Sequence, residues 1–459
     1  MPLMADRPLP WLQDDRHSLL LGGMVWVLIV MMIVPDGFDY QALVDITPPG
    51  PGGAISRALW LGLLLLALTL LARRAKLAWL VSQATNPFVI LFLMLAVASL
   101  VWSIDPPLTL RRLIRLGTIV AVCFAFVMMG WHARRLQNVV RPVLTLVLLG
   151  SLLFGLAAPS LAIHHEQASE LSGAWRGLAN HKNSLGAIAS MALVFWFHGA
   201  LTREVKWTWA VAGISVSMAC LLLSRSTTAL GATLFVMGLL LVLVFVPQRA
   251  RSVVPLFVYL LLAALLAYAL AILDIIPGLD TLLAPVQLVT GKNATLSGRT
   301  EIWAIISEHM RAHPWFGTGF DAYWTASPVV GTDSYEFTRR MGTFYPGSAH
   351  NGYLEIANDL GRVGLGCVLA YMVFHVRHAL RLYRVEPGQA ALLLAILFQQ
   401  GVTNLSETHW FGVLSVDFVV MTLATAALAR AGVEHRLRAT LGQPQGAVPR
   451  TAPALGVTS

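Results

Sequence analysis

The sequence predicts an all-α fold, a polytopic transmembrane helix bundle of about twelve spans, and three observations carry that prediction. Only 12% of the 459 residues are charged and 57% are hydrophobic, where soluble domains carry about 25% charged residues. Apolar runs close to the ~20 residues that cross a bilayer recur along most of the chain. Basic residues cluster at alternate connections between those runs, as membrane topology requires.

The runs fall at 19–35, 56–72, 86–102, 114–131, 140–158, 183–201, 207–223, 227–247, 253–275, 362–377, 389–405 and 410–430. They divide the chain into a cytoplasmic N-terminus (1–18), spans one to nine (19–275) and a long periplasmic loop (276–361). Spans ten to twelve (362–430) and a cytoplasmic tail (431–459) follow. The tail is Pro-, Ala- and Gly-rich from 439 onward and is expected to be disordered. No small-residue cleavage signal follows the first run, which reads as a retained span. Arg73, Arg74 and Lys76, then Arg134, Arg135 and Arg141, then Arg203 and Lys206 mark successive cytoplasmic connections. Arg249 and Arg251, Arg377, Arg381 and Arg384, and finally Arg430, Arg436 and Arg438 continue the alternation. The first outer connection carries Asp36, Asp39 and Asp45 instead. The net charge of +9 is therefore topological and does not point to nucleic acid. Cys123, Cys220 and Cys367 stand alone in apolar stretches, which indicates neither a disulfide framework nor a metal site.

Some basic residues sit on the outer side against this bias: Arg111, Arg112 and Arg115 in SIDPPLTLRRLIR, Arg176 with Lys182 in RGLANHKNSLG, Arg225 in LLLSRSTTALG, and Arg299 in LSGRTEIW. The planar guanidinium fork suits phosphate, so the set suggests an anionic ligand. Lipid headgroups or loop carboxylates are the competing partners. Arg225 has almost no loop to excuse it, and a charge wedged between spans normally faces a cavity or a partner.

The long loop has structure of its own. Ser297 is placed to cap a helix with Glu301 in its first turn, with Ile302, Trp303, Ile306 and Met310 on one face and Pro314 ending it. This pattern predicts a short interfacial helix with Trp303 at headgroup depth. Gly317 and Gly319 in WFGTGF read as a plain turn. His350, in SAHNGYLEIANDLG, precedes a helical run. A helix N-terminus and nearby arginines disfavour imidazolium, so a neutral His350 able to act as general base is expected. A capping or loop histidine is the plainer reading. His164, His165 and His181 form no convincing metal-ligand pair. Asn404 and Glu407 in NLSETHW could orient the histidine or an acceptor hydroxyl, or simply end a helix.

Together RGLANHKNSLG, SRSTTALG, SGRTEIW with HPWFGTGFDAYW, and AHNGYLE with DLGRVGLG resemble the O-antigen ligase and polymerase superfamily of bacterial envelope glycosyltransferases. The resemblance runs in order over roughly residues 98–430. The HKN-x-LG element, the S-x-S-T element, the N-x-x-E near the end and SLVWSIDPPLTLRR are most similar to its exopolysaccharide polymerase branch. The resemblance implies transfer of a glycan from undecaprenyl diphosphate to a sugar hydroxyl at the periplasmic face of the inner membrane. It implies no metal, no cofactor and no nucleotide sugar. The acceptor would be the next lipid-linked repeat unit in a polymerase, or lipid A–core in a ligase. Membrane lipids and other members of an envelope polysaccharide assembly system are the further partners implied.

The family's essential loop histidine carries over to His350 and its phosphate-binding arginines to Arg176 and Arg225. Arg299, Lys182 and Asn183 join the candidate substrate-binding set; Asn351, Glu355, Glu407, Arg112 and Arg115 are candidates for support. A diphosphate leaving group needs charge stabilisation more than protonation, so arginines and one base suffice, without the paired carboxylates of glycosidases. Attack opposite the leaving group would invert the anomeric centre. A flippase or transporter is the main rival, but it should show ionisable residues near mid-membrane. A non-catalytic scaffold leaves the outer arginines and His350 without a role.

Overall fold

The computed structural model describes residues 17–35, 39–40, 53–132, 134–165, 171–273, 299–324, 347–412 and 414–440. Asp36, Asp45, Ser297, the stretches 274–298 and 325–346 of the long loop, and the tail 441–459 lie outside the described residues. Helices stand where the apolar runs predict them: α1 (Ser18–Ile33), α2 (Ala54–Arg73), α3 (Ala75–Ala84), α4 (Pro87–Ala98), α5 (Pro106–Phe126), α6 (Arg135–Ala157) and α7 (Lys182–Leu201). They continue as α8 (Trp207–Leu223), α9 (Thr227–Phe245), α10 (Val254–Ile272), α11 (Arg299–Ala312), α12 (Gly352–Tyr383), α13 (Pro387–Thr403) and α14 (Val416–Thr440).

The protein is thus an all-α, multi-pass membrane protein. Seven of the described helices (α2, α6, α7, α9, α10, α12 and α14) are long and apolar enough to cross a bilayer unaided, and the bent α3–α4 pair makes eight. That is fewer than the twelve runs. α1 has 16 residues, α8 and α13 have 17 each, and α5 carries Arg111, Arg112 and Arg115 in its first half. Among the membrane helices α14 is central, with 89% of its apolar window buried, and α2 peripheral, with 22%. α7 packs against α6, α8, α9 and α13, and α12 against α4 and α13.

Four elements differ from expectation. The third run, 86–102, is preceded by a further helix in the expected connection: α3 meets α4 at 103°. Pro87 starts α4 at its first position, where its missing N–H costs nothing. Asn86 caps it, accepting from Phe88 N at 3.1 Å while donating to the Tyr371 carbonyl at 2.8 Å. The tenth run begins earlier than 362: α12 starts at Gly352 and bends at Gly361, whose φ is 66°. The bend admits the WFGTGF turn. Arg362 N and Val363 N donate to the Pro314 and Trp315 carbonyls, and a Cβ on Gly361 would lie 2.1 Å from Trp315. Gly317, at φ 60°, approaches the Asp359 carbonyl equally closely, which makes the glycines turn residues rather than a phosphate loop. Finally, α11 does not offer its apolar face to lipid. Ile302, Ile305 and Ile306 are buried, and Trp303 Nε1 donates to the Ala349 carbonyl at 2.8 Å. Protein covers the face predicted for the interface, so Trp303 anchors α11 to the head of α12. α14 also runs ten residues beyond the expected end of the last span.

Polar residues are less one-sided than the sequence suggested. At the opposite end of the bundle Arg141 pairs with Glu204 at 3.3 Å, and His198 Nε2 lies 2.9 Å from the Gly388 carbonyl. In mid-helix, Ser190, Thr233 and Gln399 form a buried neutral string across α7, α9 and α13.

Candidate active site

His350 stands at the head of α12, and its backbone is held from both sides. Asn351 caps the helix, accepting from Tyr353 N and Leu354 N at 3.0 Å each. Glu355, one turn in, reaches back to accept from Ala349 N at 2.6 Å and from Trp324 Nε1. With Trp303 bound to the Ala349 carbonyl, the peptide units before His350 have few alternatives. His350 itself adopts a left-handed φ of 50°, which projects its ring off the helix end. Asn351 and Glu355 therefore act on the scaffold of the site.

The loop after α13 supplies the acidic partner. Asn404 Oδ1 accepts from His409 N and Trp410 N at 2.8 Å each, and its Nδ2 donates to the Gln400 carbonyl. It shapes the loop, and its side-chain oxygen is taken up there. Glu407 is then placed where three elements meet. It accepts from Asn183 Nδ2 at 2.7 Å and from Arg299 at 3.0 Å, and lies 3.7 Å from His350 Nδ1. The last contact is longer than a hydrogen bond but close for an ion pair. Burial pushes the Glu407 carboxyl up, yet His350 and Arg299 beside it outweigh that and hold it at about 2. Of the two partners the sequence offered the histidine, Asn404 and Glu407, the fold sets the carboxylate beside it.

The first turn of α7 forms the third wall. His181 caps it, its Nδ1 accepting from Asn183 N at 3.3 Å, while His164 Nε2 accepts from Lys182 N at 3.2 Å. Both imidazoles must be unprotonated on the accepting nitrogen, and their rings lie 5.1 Å apart. Burial, then the neighbouring His164, pulls His181 down from the usual 6.5 to about 4. An unfolded chain takes up this proton from pH 6.5 downward, and the folded one resists until about 4. His181 therefore stabilises the fold above pH 6.5, and that contribution is lost as pH falls toward 4. Thermal unfolding against pH should show a slope in this window that His181→Asn, a non-titrating cap, removes. An unchanged slope in the variant would assign it to other groups.

The arginines separate into distinct settings. Arg225, at φ 51° and exposed, donates to the Ser172 carbonyl at 2.8 Å. Arg176 is 2% exposed and its Nε donates to the Leu161 carbonyl at 2.7 Å. They hold the stretches 161–165 and 171–176, the second of which is also tied to α8 through Trp175 N and the Leu223 carbonyl. Arg299 is engaged with Glu407 and the Ser406 carbonyl, and Lys182 is half-buried. Arg112 pairs with Asp321 at 3.3 Å, and Arg115 lies over the Trp60 ring. With Ile104 N on the Thr318 carbonyl and Asp321 N on Asp359 Oδ2, Arg112 locks the SIDPPLTLRR segment to the WFGTGFDAYW turn. Asp321, Asp359 and Glu355 form a buried acidic group there that sequence spacing did not reveal.

The fold thus brings His350, Glu407, Asn183 and Arg299 together, sets His181 and Lys182 beside them, and gives Arg112 and Arg115 a docking task. Glu407 was legible only as one of two alternatives, because its partner Asn183 is 224 positions away. His181 gave the weak signal of a polar residue directly before an apolar run.

Residues 211–369 match the family described as O-antigen ligase, a stretch that includes Arg225, Arg299 and His350. Over 295 residues the chain is 30% identical to the exopolysaccharide production protein ExoQ of Rhizobium meliloti (strain 1021). The alignment takes in 62% of this chain and 63% of that protein, so the chain spans less than two thirds of its relative's length. Both matches support the resemblance of the motifs to the O-antigen ligase and polymerase superfamily and to its exopolysaccharide branch.

Proposed function

We propose that the protein is an integral-membrane glycosyltransferase that moves a glycan from undecaprenyl diphosphate to a sugar hydroxyl, with its site on the periplasmic face. The observation that carries this reading is the pairing of His350 with Glu407 amid Arg299, Lys182 and Asn183. With Nδ1 turned toward Glu407, His350 offers Nε2 to an acceptor hydroxyl. The hydroxyl proton passes to that nitrogen as the oxygen attacks the anomeric carbon. The bond from that carbon to the diphosphate oxygen breaks, and the lipid diphosphate leaves with the electron pair. Inversion follows from attack opposite the leaving group. Cationic groups around the site stabilise the departing charge. Of the arginines, Arg225 is exposed and so open to a diphosphate, with buried Arg176 holding the same connection.

Purified protein given an undecaprenyl-diphosphate-linked oligosaccharide should release undecaprenyl diphosphate and lengthen the glycan in the presence of EDTA. Loss of turnover on chelation would overturn the metal-free mechanism. Lipid A–core supplied as sole acceptor distinguishes a ligase from the polymerase favoured by the exopolysaccharide relative. Arg225→Ala should lower kcat/KM about 10- to 100-fold, the worth of a charge-assisted hydrogen bond, with Arg225→Lys recovering only part of it. Wild-type kinetics in the alanine variant would remove Arg225 from the diphosphate site.

A further inference from the structure

A second histidine–carboxylate pair lies next to the first. His409 Nδ1 is 3.1 Å from Asp417 Oδ2, where the Glu407 loop enters α14. The pair borders a cavity of about 50 Å³ whose polar lining is completed by Asn180, Ser184 and Ser415. The cavity adjoins the candidate active site through both of its walls. In the first turn of α7, Asn183 turns to Glu407 while Ser184 turns to the cavity; in the loop, Glu407 and His409 do the same.

Two observations indicate that this cavity receives a ligand. Asp417 is 1% exposed, yet its Oδ1 has no hydrogen-bond partner among the described residues. A buried carboxylate oxygen left unmatched is costly, so a donor entering the cavity is favoured. The charge balance then selects the donor. Burial opposes protonation of His409, but Asp417 and then Glu407 outweigh it and raise the imidazole. His409 and Asp417 lie at ion-pair distance, so the charge of the imidazolium form is cancelled by its partner, in contrast to the cation-rich surroundings of Glu407. Amide, hydroxyl, imidazole and carboxylate groups around a small neutral space match hydroxyls that both donate and accept. Met32 and Ile188 give the same space an apolar side, suited to sugar C–H groups. The volume holds a hydroxymethyl or hydroxyl-bearing arm and not a whole ring.

We propose that the cavity between α7 and α14, walled by His409, Asp417, Ser184 and Asn180, is a carbohydrate subsite that grips a hydroxyl-bearing arm of the glycan. The proposal rests on the glycosyltransferase reading above and deepens it: the cationic part takes the diphosphate, the neutral cavity the sugar.

The test uses the full-length protein in nanodiscs, with undecaprenyl-diphosphate-linked repeat unit extracted from polymer-producing cells as substrate. Undecaprenyl diphosphate, which lacks the sugar, serves as inhibitor. Asp417→Asn should raise KM for the glycan substrate about tenfold, and Ser184→Ala about threefold. Inhibition by undecaprenyl diphosphate should stay within about twofold of wild type in both. Ser184→Ala keeps the test open should Asp417→Asn fold poorly. Unchanged KM in a folded variant overturns the subsite and leaves a cavity holding water only. A parallel loss of inhibitor binding also overturns it, because the effect would then not be specific to sugar. Absence of wild-type turnover would instead sink the glycosyltransferase reading beneath it.

Discussion

His350→Ala should abolish glycan transfer, lowering kcat at least about 10³-fold, within the range for loss of a general acid–base group. The folded protein should survive the change. The side chain is 27% exposed, and its Nδ1 makes no hydrogen bond in the described structure. The backbone around it is held by Asn351, Glu355 and Trp303 rather than by the imidazole. The strained φ of 50° is common to any non-glycine residue. His350→Asn is the useful companion, because asparagine tolerates the left-handed region but cannot take the proton. Both variants should remain folded, and both should be inactive. A kcat within tenfold of wild type in either would remove His350 from proton transfer and leave it a loop histidine.

Glu407→Gln should cost both stability and activity. Glutamine preserves the shape but removes the charge facing Arg299 at 3.0 Å and His350 at 3.7 Å. A carboxyl held from the usual 4.5 down to about 2 corresponds to about 3 kcal/mol of stabilisation of the charged form. That agrees with the ~3–5 kcal/mol cost of breaking a buried ion pair. The depressed value sets the sign: the contribution is complete above pH 4.5 and is lost as pH falls toward 2. The stability gap between wild type and variant, followed by thermal unfolding, should stay constant from pH 7 to about 5 and shrink below that. Activity should fall about 100-fold, because the imidazole loses its orienting partner while keeping its own chemistry. A gap undiminished at pH 3, or unimpaired turnover in the variant, would show that Glu407 does not hold this centre together.

The sequence by itself determined what is local along the chain. Hydrophobic period and length located the helices, Pro87 and Pro106 stand at first helical positions, and Asn351 was readable as part of a helix head. Gly317 was legible as a turn residue. His350 and the outer arginines stood out because charge and imidazole are costly beside lipid, so each needed a reason. Only the tertiary structure decided how those residues divide the work. Arg176 is buried and Arg225 exposed, although both sit in connections that the sequence reads alike. Arg112 is taken by Asp321, 209 positions distant and on a turn whose approach depends on the bend at Gly361. Glu407 becomes the meeting point of α7, α11 and α12, and His409 finds Asp417 beside a polar cavity. The physical reason is that helix propensity and turn chemistry act over a few residues. Ion pairs and caps between helices depend on which helix ends the packing of α7, α13 and α14 brings to one end of the bundle. No spacing within the chain encodes that meeting.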